Sequence, residues 1–314
     1  MHSIEKYMRN GVVLLDGGMG QELRHRAANE PTSLWSAQVL IEQPELVQEV
    51  HEDYIRAGAS VITTNSYATV RSRLEAIDGM GSEYEKLIDL AGVIANRARD
   101  AVGKSVLIAG SMPPLNGSYR PDRVMQTSEL EPVYREHAER LAPHVDVLLC
   151  ETMSTAEEAR VAANEASRVG LPVWVAWTLV DDELADSDPE QSESSALRSG
   201  ESLAEAYTAL TGLSIEAVMS NCCTVESVSA SIKELQSMHV PLFGGYANGF
   251  AAIPKDWTVQ SAGVDVLGQR KDNSPERYAA AVSNWIDQGA TIVGGCCEIT
   301  PAHIAAIREM IDNK

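Results

Sequence analysis

Cysteine is the residue type whose placement in this sequence points most directly to chemistry. The chain has 314 residues and five cysteines; four form the adjacent pairs Cys222–Cys223 and Cys296–Cys297, and the fifth is Cys150. An odd number dominated by adjacent pairs does not fit a disulfide framework. Soft thiolates bind zinc tetrahedrally, and a catalytic zinc site uses three protein ligands and leaves a fourth position open. The two pairs therefore predict a thiolate zinc site.

The cysteine pairs place a condition on the backbone. Successive residues of a strand point to opposite faces, so Cys296 and Cys297 can share one ion only where the chain turns. We expect Gly294 and Gly295, directly before the pair, to make that turn easy. The third ligand must then come from the Cys222–Cys223 pair, and spacing alone does not decide between its members.

A plainer interpretation of the cysteines is that they are small buried apolar residues. This interpretation suits Cys150, which has no cysteine neighbour, better than it suits two pairs at equivalent strand ends. A histidine ligand or a Cys–His nucleophile pair is not favoured, because none of the seven histidines lies at a predicted strand end with a partner. We place His51, His137 and His303 on helix surfaces.

The elements that must position these residues are eight apolar, β-branched runs. Most are nearly continuous in apolar residues, as in strands of a parallel sheet that is covered on both faces. The predicted strands are Val12–Asp16, Ser60–Thr64, Ser105–Ala109, Val145–Glu151, Val173–Thr178, Ala217–Asn221, Leu242–Tyr246 and Thr291–Gly295.

Helical patterns with recognisable ends separate the strands. Pro44–Ala57 has an apolar stripe and ends at Gly58, and Ser154-Thr155-Ala156-Glu157 is typical of a capping box for a helix that ends near Gly170. Ser274-Pro275 opens a helix that ends near Gly289, and Thr300-Pro301 opens the last one, at residues 303–311.

The alternation of eight strands and helices predicts an α/β fold: a single (β/α)8 TIM barrel spanning residues 1–314 as one domain. A doubly wound sheet would also accommodate eight strands. The acidic, serine-rich segment Asp181–Ser195 follows the fifth strand and falls on the rim of a barrel. It is either a solvated surface loop or a working lid, and the first is favoured.

Composition excludes several classes of protein. The 45 acidic residues outnumber the 25 lysines and arginines, and the net charge of −20 argues against nucleic acid or anionic membrane partners. The first residues have no apolar signal segment, and no apolar run is long enough to span a membrane. A cytoplasmic location is therefore expected. The oligomeric state is left open.

In a barrel, reactive residues gather where strands end and the following loops begin. Five predicted strands end in polar or soft residues, all at the same end of the barrel. These ends are Asp16-Gly17-Gly18-Met19-Gly20, Thr63-Thr64-Asn65-Ser66-Tyr67, Cys150-Glu151-Thr152, Ser220-Asn221-Cys222-Cys223 and Gly294-Gly295-Cys296-Cys297.

These ends resemble the zinc-dependent homocysteine S-methyltransferases, the family that includes the betaine and S-methylmethionine enzymes. The resemblance spans nearly the whole chain, and the Asn-Cys and Gly-Gly-Cys-Cys elements are its most specific parts. It rests on LLDGGMGQEL (14–23), TTNSY (63–67), the glutamate of LLCET (148–152), SNCC (220–223) and GGCCEITPAHI (294–304).

The resemblance implies a ligand set and an amino-acid site. The zinc ligands would be Cys222, Cys296 and Cys297. The substrate amino acid would have its ammonium group near Asp16 and Glu151 and its carboxylate near backbone donors of residues 17–19, which are Gly17, Gly18 and Met19. From the residues alone, a loop cap is the less favoured alternative for Asp16, and a rim salt bridge is the less favoured alternative for Glu151.

The same resemblance implies a reaction, transfer of a methyl group from a cationic donor to the thiolate of homocysteine to give methionine. With no nucleotide fingerprint and an acidic charge balance, S-methylmethionine or a similar sulfonium is favoured over betaine, folate or a corrinoid. Glu298 stands where relatives often have Arg, and Ala176-Trp177 stands where they often have Ser-Phe. These two differences leave the composition of the donor pocket and the fine choice of substrate undetermined. The alternatives are methylation of another thiol or selenol and, in another class, a non-catalytic zinc or redox-sensing barrel.

Overall fold

The computed structural model describes residues 4–27, 36–75, 79–181, 195–253 and 268–314. Eight parallel strands alternate with helices, which confirms the predicted (β/α)8 barrel. The strands are β1 (Val13–Leu14), β2 (Val61–Thr63), β3 (Leu107–Met112), β4 (Val147–Met153), β5 (Val173–Trp177), β6 (Ala217–Asn221), β7 (Phe243–Ala247) and β8 (Ile292–Gly295). Each begins and ends within a few residues of its predicted bounds.

Helices cover the outside of the sheet. They are α1 (Met19–Arg26), α2 (Ser36–Glu42), α3 (Pro44–Ala57), α4 (Arg71–Glu75), α5 (Tyr84–Val102), α6 (Thr127–Leu141), α7 (Ala156–Ser167), α8 (Leu203–Ala209), α9 (Val225–Ser237), α10 (Pro275–Asp287) and α11 (Pro301–Asp312). None of these helices in the described part of the chain has the length and apolar character needed to cross a membrane.

The sheet closes on itself in chain order. Every strand from β2 to β7 pairs with its successor, and β8 pairs with β1 through Val13–Ile292 and Leu14–Val293. The gap between β1 and β2 is bridged by the parallel pair Leu15–Val61 and a 2.7 Å bond from Ser60 N–H to the Leu14 carbonyl. Closure brings the carboxyl ends of all eight strands to one rim.

Two cores lie on the two faces of the sheet, and both are apolar because every strand is covered on both sides. Inner-facing residues such as Val13, Leu149 and Trp174 fill the barrel, while outer-facing residues such as Leu148 and Val175 pack under the helices. Alternating residues of one strand thus enter different cores, as strand geometry requires.

Helix starts follow the predicted signals with one correction. Ser274 caps α10 and Thr300 caps α11, each with proline at the first helical position. The predicted capping box at Ser154 and Glu157 is wrong, because α7 begins one residue later. There the Thr155 side chain accepts a 3.0 Å hydrogen bond from the Glu158 N–H.

The predicted surface positions of three histidines are also wrong. His51, His137 and His303 are all buried, with exposed fractions of 0%, 1% and 6%. His51 lies on the buried stripe of α3, four residues from both Val47 and Ile55, and this face packs against neighbouring helices. His137 and His303 are satisfied inside the protein by bonds to Tyr84 and to the carbonyl of Asn273 respectively.

Candidate metal and amino-acid site

A pocket opens at the carboxyl rim of the barrel, where the sequence placed the reactive residues. Its walls come from the carboxyl ends of β2, β4, β7 and β8, from the loops that follow β1, β2, β6 and β8, and from Tyr119 after β3 and Phe250 after β7. All eight residues predicted for metal and substrate binding line it: Asp16, Gly17, Gly18, Met19, Glu151, Cys222, Cys296 and Cys297.

The three predicted metal ligands converge. The Cys222 sulfur lies 2.9 Å from that of Cys296 and 3.9 Å from that of Cys297, and all three sulfurs lie within 4.8 Å of one another. Among the residues that the structure describes, no other group of three His, Cys, Asp or Glu side chains converges in this way. This cluster could hold a metal ion.

The turn that lets Cys296 and Cys297 face one site does not come from the glycines before them, contrary to our expectation. It is a β-turn closed by a 3.1 Å bond from Ile299 N–H to the Cys296 carbonyl, with Glu298 at a left-handed φ of 62°. Gly294 and Gly295 lie within and at the end of β8. A Cβ on Gly295 would lie 2.1 Å from Ile299, so it is close packing that requires glycine there.

A second left-handed residue decides between Cys222 and Cys223. Ala217 and Met219 of β6 face the inside of the barrel, so simple alternation would turn residue 223 inwards. Cys222 instead has a φ of 52°, which reverses the alternation. As a result Cys222 lines the pocket and Cys223 packs in the outer core, as Cys150 does.

Cys222 is the thiol of the cluster that loses its proton most readily. Hydrogen bonds from the thiols of Cys296 and Cys297, and one from the Tyr119 hydroxyl at 2.9 Å, hold the pKa of Cys222 well below its ordinary range. The pKa of Cys296 is in turn raised well above its ordinary value, because it donates to Cys222 and is buried. Three thiolates can coexist here only if a cation offsets their charge.

Asp16 lies at the floor of the pocket and is held by the next strand. Its carboxylate accepts bonds from Thr63 N–H at 2.7 Å and from Thr63 Oγ1 at 3.1 Å. Burial raises the pKa of Asp16 to about 7, although those two bonds act in the opposite direction.

Glu151 faces the same space from β4. It accepts a 2.5 Å bond from Ser111 Oγ and a 3.2 Å bond from Tyr246 OH, and burial raises its pKa to about 7. The two carboxylates have hydroxyl and backbone partners, and no ion pair joins either to a described Lys or Arg. A ligand ammonium group would supply the missing positive charge.

The glycine loop lines the pocket, but its backbone donors are partly engaged. Gly18 N–H donates to the Ile299 carbonyl at 2.9 Å, and Met19 N–H bonds to the Gly17 carbonyl at 3.0 Å. A Cβ on Gly17 would lie 2.1 Å from the Ile299 oxygen, so the loop can pack this closely against the cysteine turn only as glycine.

Sequence reasoning missed several residues of the site. Tyr119 lies in the loop after β3 with a φ of 63° and no motif marks it, whereas Tyr246 ends the predicted seventh strand and could have been found there. Glu298 turns away to α1, where it accepts a 2.5 Å bond from Gln21 Nε2. Ala176 and Trp177 belong to the inner and outer cores respectively.

Comparison with known proteins agrees with this geometry. The family model described as homocysteine S-methyltransferase matches residues 13–311. Homocysteine S-methyltransferase of Escherichia coli is 31% identical, with 96% of this chain and 95% of that protein aligned. A selenocysteine methyltransferase of Astragalus bisulcatus is 26% identical over 96% of this chain and 92% of its own length.

A solved structure shows the same architecture. The crystal structure of the homocysteine methyltransferase MmuM from Escherichia coli, in its metallated form, superimposes with a TM-score of 0.79 at 28% identity. The superposition covers 98% of each chain.

Proposed function

Since this chain belongs to the homocysteine S-methyltransferase family, we propose that it transfers a methyl group from a cationic donor to the thiolate of homocysteine, giving methionine. The donor we favour is S-methylmethionine or a similar sulfonium. The observation that carries the proposal is the convergence of three cysteine sulfurs with two buried carboxylates in one pocket.

Zinc fits the donor set of Cys222, Cys296 and Cys297. Sulfurs about 2.3 Å from a tetrahedral ion lie about 3.8 Å apart, within the spread observed among these three. Three soft ligands also leave the open position of a catalytic site. Zinc bound here would keep an incoming thiol ionised at neutral pH while leaving its sulfur nucleophilic.

The amino-acid part of homocysteine would lie between the carboxylates and the glycine loop. Asp16 and Glu151 would bind the ammonium group, which restores the charge balance that burial upsets. The carboxylate would lie by residues 17–19, at the amino end of α1, where the helix dipole favours negative charge. Binding both ends orients the sulfur toward the three cysteines, and orientation lowers the barrier of a two-substrate reaction.

The chemical step is a displacement at carbon. The homocysteine thiolate forms a bond to the donor methyl carbon while the bond between that carbon and the donor sulfonium breaks. The bonding electrons return to the donor sulfur, which leaves as a neutral thioether, and the thiol proton has already passed to solvent. Aromatic rings of Tyr67, Tyr119, Tyr246 and Phe250 line the pocket, and aromatic faces suit a cationic donor.

A panel of donors tests this proposal directly. Purified protein with homocysteine is supplied in turn with S-methylmethionine, S-adenosylmethionine, betaine and methyltetrahydrofolate, and methionine is measured. We expect turnover with a sulfonium donor and little or none with the other two. Turnover only with betaine or the folate would overturn the donor assignment. Turnover with none, in zinc-loaded protein, would favour a non-catalytic or redox role.

The acceptor is tested in the same assay. One relative is named a selenocysteine methyltransferase, so selenocysteine and cysteine are compared with homocysteine at equal concentration. We expect the highest kcat/KM with homocysteine. A higher value with a selenol would move the assignment to that acceptor.

A further inference from the structure

Thr152 has a backbone conformation that its residue type rarely adopts. Its φ is 60°, in the left-handed region, where a β-branched side chain is strongly disfavoured. The strand pairing changes at this point, because Cys150 pairs with Val175 whereas Met153 pairs with Trp177. Three steps along β4 thus match two along β5, which is a β-bulge.

The bulge changes which side chains of β4 face the pocket. Val147 and Leu149 point into the barrel and Leu148 and Cys150 point out, so alternation would direct Thr152 outwards. Instead Glu151 and Thr152 both line the pocket, and Met153 packs in the outer core. The left-handed residue therefore ends the alternation directly after the carboxylate that we assign to the substrate.

The side chain of Asn221, at the end of β6, forms two hydrogen bonds with Thr152 in this bulge. The Asn221 Oδ1 accepts a 2.9 Å bond from Thr152 N–H, and Asn221 Nδ2 donates a 2.8 Å bond to Thr152 Oγ1. Both residues are buried, with exposed fractions of 0% and 1%. The amide uses its acceptor and a donor together, and an apolar side chain would leave the Thr152 N–H without this partner.

Asn221 also stands directly before Cys222, itself left-handed with a φ of 52°. Asn221 therefore bonds to the end of β4, which carries Glu151, and directly precedes Cys222 of the three-cysteine cluster. The Glu151 carboxylate and the Cys222 sulfur come from β4 and from the end of β6, and the described hydrogen bonds of Asn221 join the carboxyl ends of those two strands.

We propose that Asn221 is a positioning residue that holds Thr152 in its left-handed conformation and so fixes Glu151 relative to Cys222. The role of Glu151 rests on the proposed function. The two hydrogen bonds between Asn221 and Thr152, called the clamp below, determine where the ammonium group and the sulfur of one amino acid can lie at the same time. Its loss should appear as weaker homocysteine binding rather than as a slower chemical step.

A double-mutant cycle tests the clamp. Asn221→Ala is made in the natural chain and in the Thr152→Gly background, because glycine adopts a φ of 60° without support. We expect Asn221→Ala to raise the KM for homocysteine about tenfold or more in the natural chain, and less than about threefold in the Thr152→Gly background, with smaller changes in kcat. Equal effects in both backgrounds would contradict the proposal, as would an unchanged KM.

Controls separate this role from general destabilisation. Asn96→Ala removes another amide that bonds to backbone carbonyls, those of Gly92 and His144, and should lower the Tm without changing the KM. If Asn221→Ala alone does not fold, the proposal requires that the double variant does, and failure of both contradicts it. Turnover by the natural protein is measured separately, and its absence would mean that the proposed function fails. In that case the Tm replaces the KM in the double-mutant cycle: Asn221→Ala should lower the Tm more in the natural chain than in the Thr152→Gly background, and equal losses would contradict the proposal.

Discussion

At the scale of single residues, the most informative pair is Asp16 and Glu151. Each is a carboxyl group that burial moves to a pKa of about 7, and each is held by hydroxyl or backbone donors in the pocket. Ordinary salt bridges of a protein surface do not behave in this way, because their partners lower the pKa of the acid. The two groups therefore titrate near neutral pH in the empty pocket, and a bound ammonium group would favour their charged form.

This arrangement predicts how homocysteine binding depends on pH. In the proposed binding mode the ammonium group binds the ionised carboxylates, and these are mostly protonated below about pH 7 and mostly ionised above it. The KM for homocysteine should therefore fall about tenfold or more between pH 6 and pH 8. The measurement is KM against pH at saturating donor. A KM that rises over this range would contradict the assignment.

Glu151→Gln is the matched variant for this measurement. It should weaken homocysteine binding at every pH and flatten the pH dependence. The same change should raise the Tm of the ligand-free protein at pH 8. An acid whose pKa is higher in the folded than in the unfolded state loses its stabilising effect as the pH rises through the folded value, and glutamine does not titrate.

At the scale of elements, the cysteine turn after β8 is fixed by the loop after β1 and by α3. The Ile299 carbonyl accepts a 2.9 Å bond from Gly18 N–H and another of 2.9 Å from Tyr54 OH. A Cβ on Gly18 would lie 2.7 Å from the Cys296 oxygen. The turn that carries Cys296 and Cys297 and the glycine loop therefore form one packed unit.

Tyr54→Phe tests this coupling. It removes one of the two donors to Ile299, and a hydrogen bond of this kind contributes about 1 kcal/mol. We expect zinc affinity, measured by competition with a chelator, to fall by about three- to tenfold. Tyr84→Phe is the matched control, because it removes a buried hydroxyl that bonds to His137 away from the pocket. An equal effect of both variants would mean that Tyr54 acts only through general stability.

The elements also show which features were predictable from sequence. All eight strands were found because parallel strands buried on both faces are nearly continuous in apolar residues, and helix starts were marked by Ser274-Pro275 and Thr300-Pro301. The left-handed conformations of Thr152, Cys222 and Glu298 were not predictable, since none of them is a glycine. At Thr152 the left-handed conformation accompanies a tertiary contact, the hydrogen bonds with Asn221, which local sequence does not reveal.

The remaining differences have separate causes. Alternation along β6 would have turned Cys223 inwards, so only the family resemblance selected Cys222. The histidines were placed on helix surfaces because histidine is a polar residue, yet each lies three or four residues from buried apolar residues on the inner face of its helix. The role of the segment at residues 181–195 stays open, because residues 182–194 lie outside the described part of the chain.

At the scale of the whole molecule, barrel closure is what assembles the site. Cys222 and Cys296 are separated by 74 residues in sequence, yet their sulfurs lie 2.9 Å apart because β6 and β8 end at the same rim. Asp16 and Glu151 reach that rim from β1 and β4. The net charge of −20 gives the chain an electrostatic preference for cationic over anionic small molecules, in keeping with a sulfonium donor.

The central claim, a three-thiolate zinc site that activates homocysteine, is tested most directly by measuring zinc content and methyl transfer together. The natural chain should hold about one zinc ion, and Cys296→Ser should lose both zinc and methyl transfer. Cys223→Ser, which changes the adjacent cysteine of the outer core, should keep both. Full methyl transfer by a metal-free preparation, or by Cys296→Ser, would contradict the account.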